Sequence, residues 1–197
     1  MTESAFLERW LEEVLATPGM TGLGSIEEAR EVLLQDALRA LPLLDQLGGE
    51  IVDVGSGGGS PGIPLAVSLP ERFFTLLEAE RRKADALVHL ARDLPNVHVV
   101  WGRAEEQTVA SYDVALAKAL AQPPVAAELT LPLVRPGGAA ILWVGASADR
   151  EWVARVAQAI AGELEREHDG LLVLRKVGLT PPGFPRRSGM AKKRPLV

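Results

Sequence analysis

Residues 51–65 read Ile-Val-Asp-Val-Gly-Ser-Gly-Gly-Gly-Ser-Pro-Gly-Ile-Pro-Leu. No other stretch constrains the fold as strongly. Ile51 to Val54 predicts a short buried strand, Gly55 to Gly59 a glycine turn, and Ser60 the opening of a helix. Ser60 is suited to cap that helix and Pro61 to be its first residue, where a missing N–H costs nothing. Pro64 still falls in the first turn, so it removes no helical bond. Five of the eight residues 55–62 are glycine, a steep entropic cost for a simple turn. Such a turn lets the backbone approach a ligand, and the helix start adds unpaired N–H groups.

The rest of the chain is arranged around this unit. Phe6, Leu7, Trp10, Leu11, Val14 and Leu15 follow the three/four spacing of an amphipathic helix over residues 3–16. Ser25 with Glu28 three residues on predicts a capping box, and the apolar residues from Ile26 to Leu44 predict a second helix, stopped by Gly48-Gly49. From residue 50 apolar strands alternate with helices. Strands are expected at 51–54, 73–77, 97–101, 114–117 and 139–144, and helices at 61–68, 81–93, 124–134 and 149–163, with a short turn near 104–109. That alternation predicts an α/β chain with a mostly parallel sheet covered on both faces. Residues 164–168 and 171–177, turning at Asp169-Gly170, predict an antiparallel edge hairpin. The expected division is an N-terminal helical extension (1–48), a main domain (49–178) and a basic tail (179–197).

Composition removes several function classes. There is no cysteine, so there is no disulfide, no thiolate metal site and no cysteine nucleophile. His89, His98 and His168 are scattered without metal-ligand spacing, and no metal is expected. No apolar run is long enough to span a bilayer, and Met-Thr-Glu-Ser does not open a signal peptide. The expectation is a soluble, cytoplasmic monomer. Net charge is −5, which taken alone disfavours a nucleic-acid partner, yet the last 23 residues hold seven basic residues and no acid. Arg186, Arg187, Lys192, Lys193 and Arg194 thus form a candidate phosphate-contacting strip, and interspersed prolines and glycines predict an irregular tail.

The glycine spacing discriminates among ligands. A phosphate loop ends in Gly-Lys-Ser/Thr, whereas this turn ends in Gly-Ser-Pro-Gly. A dinucleotide fold uses G-x-G-x-x-G, and here Gly55, Gly57 and Gly59 give G-x-G-x-G. Asp53-Val-Gly-Ser-Gly-Gly-Gly59, including Ser56, fits the D-x-G-x-G-x-G signature of S-adenosylmethionine sites. Glu78, closing the second strand, is placed to accept from both ribose hydroxyls. Ala104, within Gly102-Arg-Ala-Glu-Glu106, is small enough to lie under an adenine ring.

Three further segments complete a resemblance: Leu76-Leu-Glu-Ala-Glu-Arg-Arg-Lys83, Asn96-Val97 with Gly102-Arg-Ala-Glu-Glu106, and Phe184-Pro-Arg-Arg-Ser-Gly-Met-Ala-Lys-Lys-Arg-Pro-Leu196. With the glycine turn they resemble the bacterial small-subunit ribosomal RNA guanine-N7 methyltransferases, the RsmG or GidB family. The resemblance implies a class I methyltransferase fold and methyl transfer from S-adenosylmethionine to a guanine N7 in 16S rRNA, within the small ribosomal subunit. It implies a cofactor site at Gly55, Ser60, Glu78, Ala79, Ala104 and Glu105, and an orienting role for Lys118 beside cofactor and substrate. The tail and Arg81-Arg82-Lys83 would face RNA. This chain departs from the pattern at Asp36, Arg39 and Ala40, where a histidine and an Asp-Ser pair are usual. It departs again at Ser60, usually bulky and apolar, and at Lys118, usually arginine. Two alternatives stay open: a cofactor-dependent methyltransferase with another substrate, or a cofactor- and RNA-binding relative with weak or no activity.

Overall fold

The computed structural model describes residues 2–196. Helix α1 (Glu3–Ala16) is capped by the Thr2 hydroxyl, which accepts from Ala5 N, and buries Phe6, Trp10, Leu11 and Val14 along one stripe. The second helix departs from expectation. Ser25 caps it, and Glu28 reaches back to Gly24 N at 3.0 Å instead of to the cap residue itself. Helix α2 (Ile26–Ala29) then widens into a π-helical stretch (Arg30–Gln35), resumes over Asp36–Leu38, and ends at Arg39-Ala40. A separate helix α3 (Leu41–Leu44) follows. Pro42 accounts for that second break. It has no N–H to continue the ladder, and its ring would meet the carbonyl four residues back, but it is tolerated in a first turn.

The strands are β1 (Ile51–Val54), β2 (Phe74–Glu78), β3 (Val97–Trp101), β4 (Tyr112–Ala117), β5 (Val134–Trp143), β6 (Gly162–His168) and β7 (Leu171–Lys176). They form one sheet in the order β3-β2-β1-β4-β5-β7-β6. The first five are parallel. β7 runs antiparallel to β5, and β6 antiparallel to β7, so the expected edge hairpin is present. The remaining helices are α4 (Gly62–Ser68), α5 (Arg81–Leu90), α6 (Pro123–Thr130), α7 (Arg150–Ala159) and α8 (Met190–Lys193). Period-two alternation sends Val52, Val54, Ala115, Ala140 and Leu172 to one face, against α6 and α7. Ile51, Phe74, Val114, Ile141 and Val173 go to the other, against Leu43 and Leu44 of α3 and Leu65 of α4. Trp10 and Val14 of α1 share a third cluster with Ile63, Leu76 and Leu87. The N-terminal helices are therefore a buttress built into the helical layer.

Several element boundaries are corrected: β5 begins at Val134 instead of Ala139, and the helix expected to reach Asp93 ends at Leu90. The helix expected to run to Val134 ends at Thr130, because a short 3-10 turn (Leu131–Leu133) containing Pro132 leads directly into β5. The helix expected to reach residue 163 stops at Ala159, where Ala161 takes a positive φ and its carbonyl receives Val177 N and Gly178 N. The tail is also more ordered than its prolines suggest. It folds back, forms α8, and buries Ala191 against the α6–α7 face. No helix among the described residues is long and apolar enough to cross a membrane.

Candidate functional site

Strand order reverses between β1 and β4, and in open α/β sheets ligands bind outside the strand C-termini at such a point. Here Gly55, Glu78, Gly102 and Lys118, at the ends of β1, β2, β3 and β4, border one cavity of about 400 Å³. Of the residues expected at the site, Gly55, Ser56, Gly57, Ser60, Glu78, Ala79, Ala104, Glu105 and Lys118 all line it. Met20, Leu33, Leu120 and Leu129 supply apolar wall. Their apolar spacing in the sequence is indistinguishable from core.

The turn is fastened to the second strand. Gly55 N and Ser56 N both donate to Leu77 O, at 2.8 and 3.2 Å. Glu78 is 8% exposed. Its Oε2 accepts from Gly57 N at 2.9 Å and its Oε1 from Glu80 N at 2.8 Å. Each carboxylate oxygen keeps a further lone pair for a hydroxyl donor. Gly55 has φ +76°, and a Cβ there would lie 2.5 Å from Leu120 Cδ1. The close backbone approach read from the sequence is thus built into the turn.

Asp53 and Gly59 are corrections. Neither reaches the cavity. Asp53 is buried on the opposite side of the turn, where its Oδ2 accepts from Gly62 N at 3.1 Å. It therefore performs the capping role expected of Ser60. Helix α4 begins at Gly62, with Pro61 as its cap residue and no side-chain cap from Ser60. The Ser60 hydroxyl donates instead to Leu33 O at 2.7 Å. Gly59 closes the turn from within, its N donating to Ser56 O at 2.7 Å, and a Cβ would lie 2.5 Å from Ile63 Cδ1.

Burial pushes the Asp53 carboxyl up to about 7, against the Gly62 and Ser56 hydrogen bonds that favour its charge. An unfolded aspartate ionises near ~3.9. The raised folded value means stability is full below about pH 4 and is lost as pH rises towards 7. Asp53→Asn removes that titration and keeps an acceptor for Gly62 N. Urea unfolding at pH 5 and 7.5 should show the stability difference, variant minus wild type, growing by about 2 kcal/mol at the higher pH. A constant difference would place the ionisation elsewhere.

Lys118 meets the π-helical stretch. Its Nζ donates to Val32 O at 2.6 Å and lies 3.3 Å from Asp36 Oδ2. Asp36 also pairs with Arg39 at 2.7 Å. Three positions that depart from the family pattern therefore form one charge network. The neighbouring carbonyls of Val32 and Leu33 each receive a side chain of the site, in keeping with the placement of π-bulges at functional sites.

The tail closes the remaining rim. Glu105 Oε1 accepts from Gly189 N at 2.7 Å, and Glu106 Oε1 accepts from the Ser188 hydroxyl at 2.7 Å. Glu105 thus lines the cavity while its carboxylate holds the tail. Arg186 is a correction among the expected RNA-facing residues. Its Nε and one terminal nitrogen bond both oxygens of buried Glu128, at 2.5 and 2.6 Å. Lys192 reaches the cavity rim, and Arg187, Lys193 and Arg194 are exposed. Arg103 also lines the cavity, and its Nε is buried without a hydrogen-bond partner.

Residues 4–169 match the family model GidB, rRNA small subunit methyltransferase G. A ribosomal RNA small subunit methyltransferase G of Synechococcus sp. (strain JA-2-3B'a(2-13)) is 37% identical over 165 residues, 74% of this chain and 63% of that protein, just under two-thirds of its length. The protein of the same name from Thermotoga neapolitana is 35% identical over 207 residues, 96% of this chain and 90% of that one. Among solved structures, the antibiotic-resistance methyltransferase Kmr superposes with a TM-score of 0.54 at 17% identity, over 71% of this chain and 93% of that one. At that identity the likeness concerns the fold, which is that of class I S-adenosylmethionine-dependent methyltransferases. On the family match and these identities, the chain belongs to the GidB family of rRNA small subunit methyltransferases G.

Proposed function

We propose that this chain transfers the methyl group of S-adenosylmethionine to N7 of a guanine in 16S rRNA of the small ribosomal subunit. The observation that carries the reading is the convergence of the glycine turn, Glu78 and Ala104 on one cavity at the sheet's switch point, in a member of this family. The residues fit the cofactor. Glu78 offers carboxylate lone pairs to the two ribose hydroxyls, the turn offers backbone to the amino-acid part, and Leu77, Ala104 and Leu129 offer apolar wall to the adenine. When bound, the cofactor supplies an electrophilic methyl group on a sulfonium.

The chain's own task is positioning. The guanine N7 lone pair lies in the ring plane and carries no proton, so attack needs in-line placement and exclusion of water but no general base. The carboxylates that line the cavity already have partners: Glu78 accepts from Gly57 N and Glu80 N, and Glu105 from Gly189 N. Lys118 stands at the end of β4 to orient the cofactor carboxylate or a substrate phosphate, and Asp36 holds its ammonium in place. Asp36→Ala is expected to raise the KM for cofactor roughly 3- to 10-fold at a stability cost of about 1.5 kcal/mol, since the pair is part-buried, its side chains 10% and 30% exposed. If Asp36→Ala and Lys118→Ala both leave cofactor affinity and turnover unchanged, the network has no part in positioning.

The substrate class is tested by offering methyl-labelled cofactor with small ribosomal subunits, naked 16S rRNA or total cell protein. Label should enter RNA. Label confined to protein or to small molecules would replace the RNA reading with another substrate.

A further inference from the structure

Trp101 is 57% exposed at the last position of the edge strand β3, whereas Trp10 is buried and Trp143 and Trp152 are half-buried. The indole is held rigidly. Its Nε1 donates to Ala79 O at 3.2 Å, and the Arg81 guanidinium lies 4.6 Å from the ring centroid. A large aromatic surface fixed in this way and left in water is not explained by folding.

The adjoining helix start is cationic. Helix α5 opens on Arg81, Arg82 and Lys83 with no side-chain cap. Cations at that end oppose the helix dipole, so the fold itself does not call for them. Exposed Asp85 and Glu80 offset part of this charge, but such pairs are weak in water. Ala79, Lys83 and Arg103 border the cofactor cavity, so the indole stands beside its mouth. Glu105 and Glu106, just beyond, carry the basic tail. An exposed aromatic ring carrying one guanidinium on its face, beside a basic helix start, matches the chemistry that binds single-stranded nucleic acid, where bases stack on aromatics and cations track the backbone.

We propose that Trp101, backed by Arg81, is a stacking platform for an unpaired nucleotide of the RNA substrate, a nucleotide other than the methyl acceptor. The proposal rests on the RNA reading above and adds the residue that grips a second base.

The test uses the full chain with a short single-stranded RNA and with small ribosomal subunits. Adding the oligonucleotide should quench the tryptophan fluorescence of wild type, and Trp101→Phe should abolish most of that quench. Trp101→Ala should weaken oligonucleotide affinity by roughly 10-fold, from the loss of one stacked base, and Trp101→Phe by less than ~3-fold, since a ring remains. Cofactor affinity by calorimetry should be unchanged in both, which shows that the fold is intact. Equal oligonucleotide affinity of wild type and Trp101→Ala would overturn the platform while leaving the RNA reading standing. Loss of subunit binding with oligonucleotide binding retained would assign Trp101 to a protein contact and also overturn it. If wild type binds no RNA and methylates none, both readings fall together.

Discussion

Replacing Glu78 by glutamine is expected to weaken S-adenosylmethionine binding by about 100-fold, without unfolding the protein. The carboxylate accepts from Gly57 N and Glu80 N through different oxygens. A glutamine can satisfy only one of these donors, because its amide nitrogen donates. The other N–H, part-buried, then faces a second donor. Hydrogen bonds to a charged group contribute about 1.5–3 kcal/mol each, so losing the acceptor at the ribose alone gives up to about two orders of magnitude. Calorimetric titration reads this directly. Because Gly57 belongs to the turn, the unliganded variant should also melt at a lower temperature. An unchanged cofactor affinity would mean that Glu78 serves only to brace the turn.

Arg186→Ala is expected to cost about 3–5 kcal/mol of stability, the penalty for stranding the partner of a buried ion pair. Glu128 is 3% exposed, and both its oxygens are bound to Arg186. At ~2–4 °C per kcal/mol for a chain of this size, Tm should fall by roughly 10 °C. Replacing both partners by leucine should recover most of the loss, since it removes the charge as well as its partner. Arg187→Ala, next in sequence but exposed, should leave Tm nearly unchanged and act on RNA affinity. If Arg186→Ala and Arg187→Ala behave alike, the ion pair does not anchor the tail.

Much of this was legible in the chain. Strands β1 and β3 fall at the expected residues because they are short apolar runs bounded by glycines or a turn. The cavity-lining residues Gly55, Glu78 and Ala104 follow from strand ends and spacing. The misses have local causes. Asp53 and Gly59 belong to the right motif, but the pleat turns Asp53 away from the cavity, and Gly59 closes the turn from inside. Ser60 has the composition of a cap, yet Asp53 takes that duty from nine residues earlier. Arg186 reads as one cation among several until Glu128, 58 residues away, is seen to face it. Leu33 and Met20 carry no signal at all, because an apolar residue lining a cavity is spaced like one in a core. Position relative to distant partners, which periodicity does not encode, separates the legible part from the rest.

Methylation at N7 of a guanine in 16S rRNA leaves a chemical mark that can be read directly. Among methylated guanines, the N7-methylated base becomes labile to borohydride reduction followed by aniline, which cuts the RNA chain at that nucleotide. 16S rRNA recovered after incubation with the chain and S-adenosylmethionine should show a new scission at a guanine, absent without cofactor and strongly reduced with Glu78→Gln. Label incorporated into the RNA with no scission would place the methyl group on another atom and contradict the account.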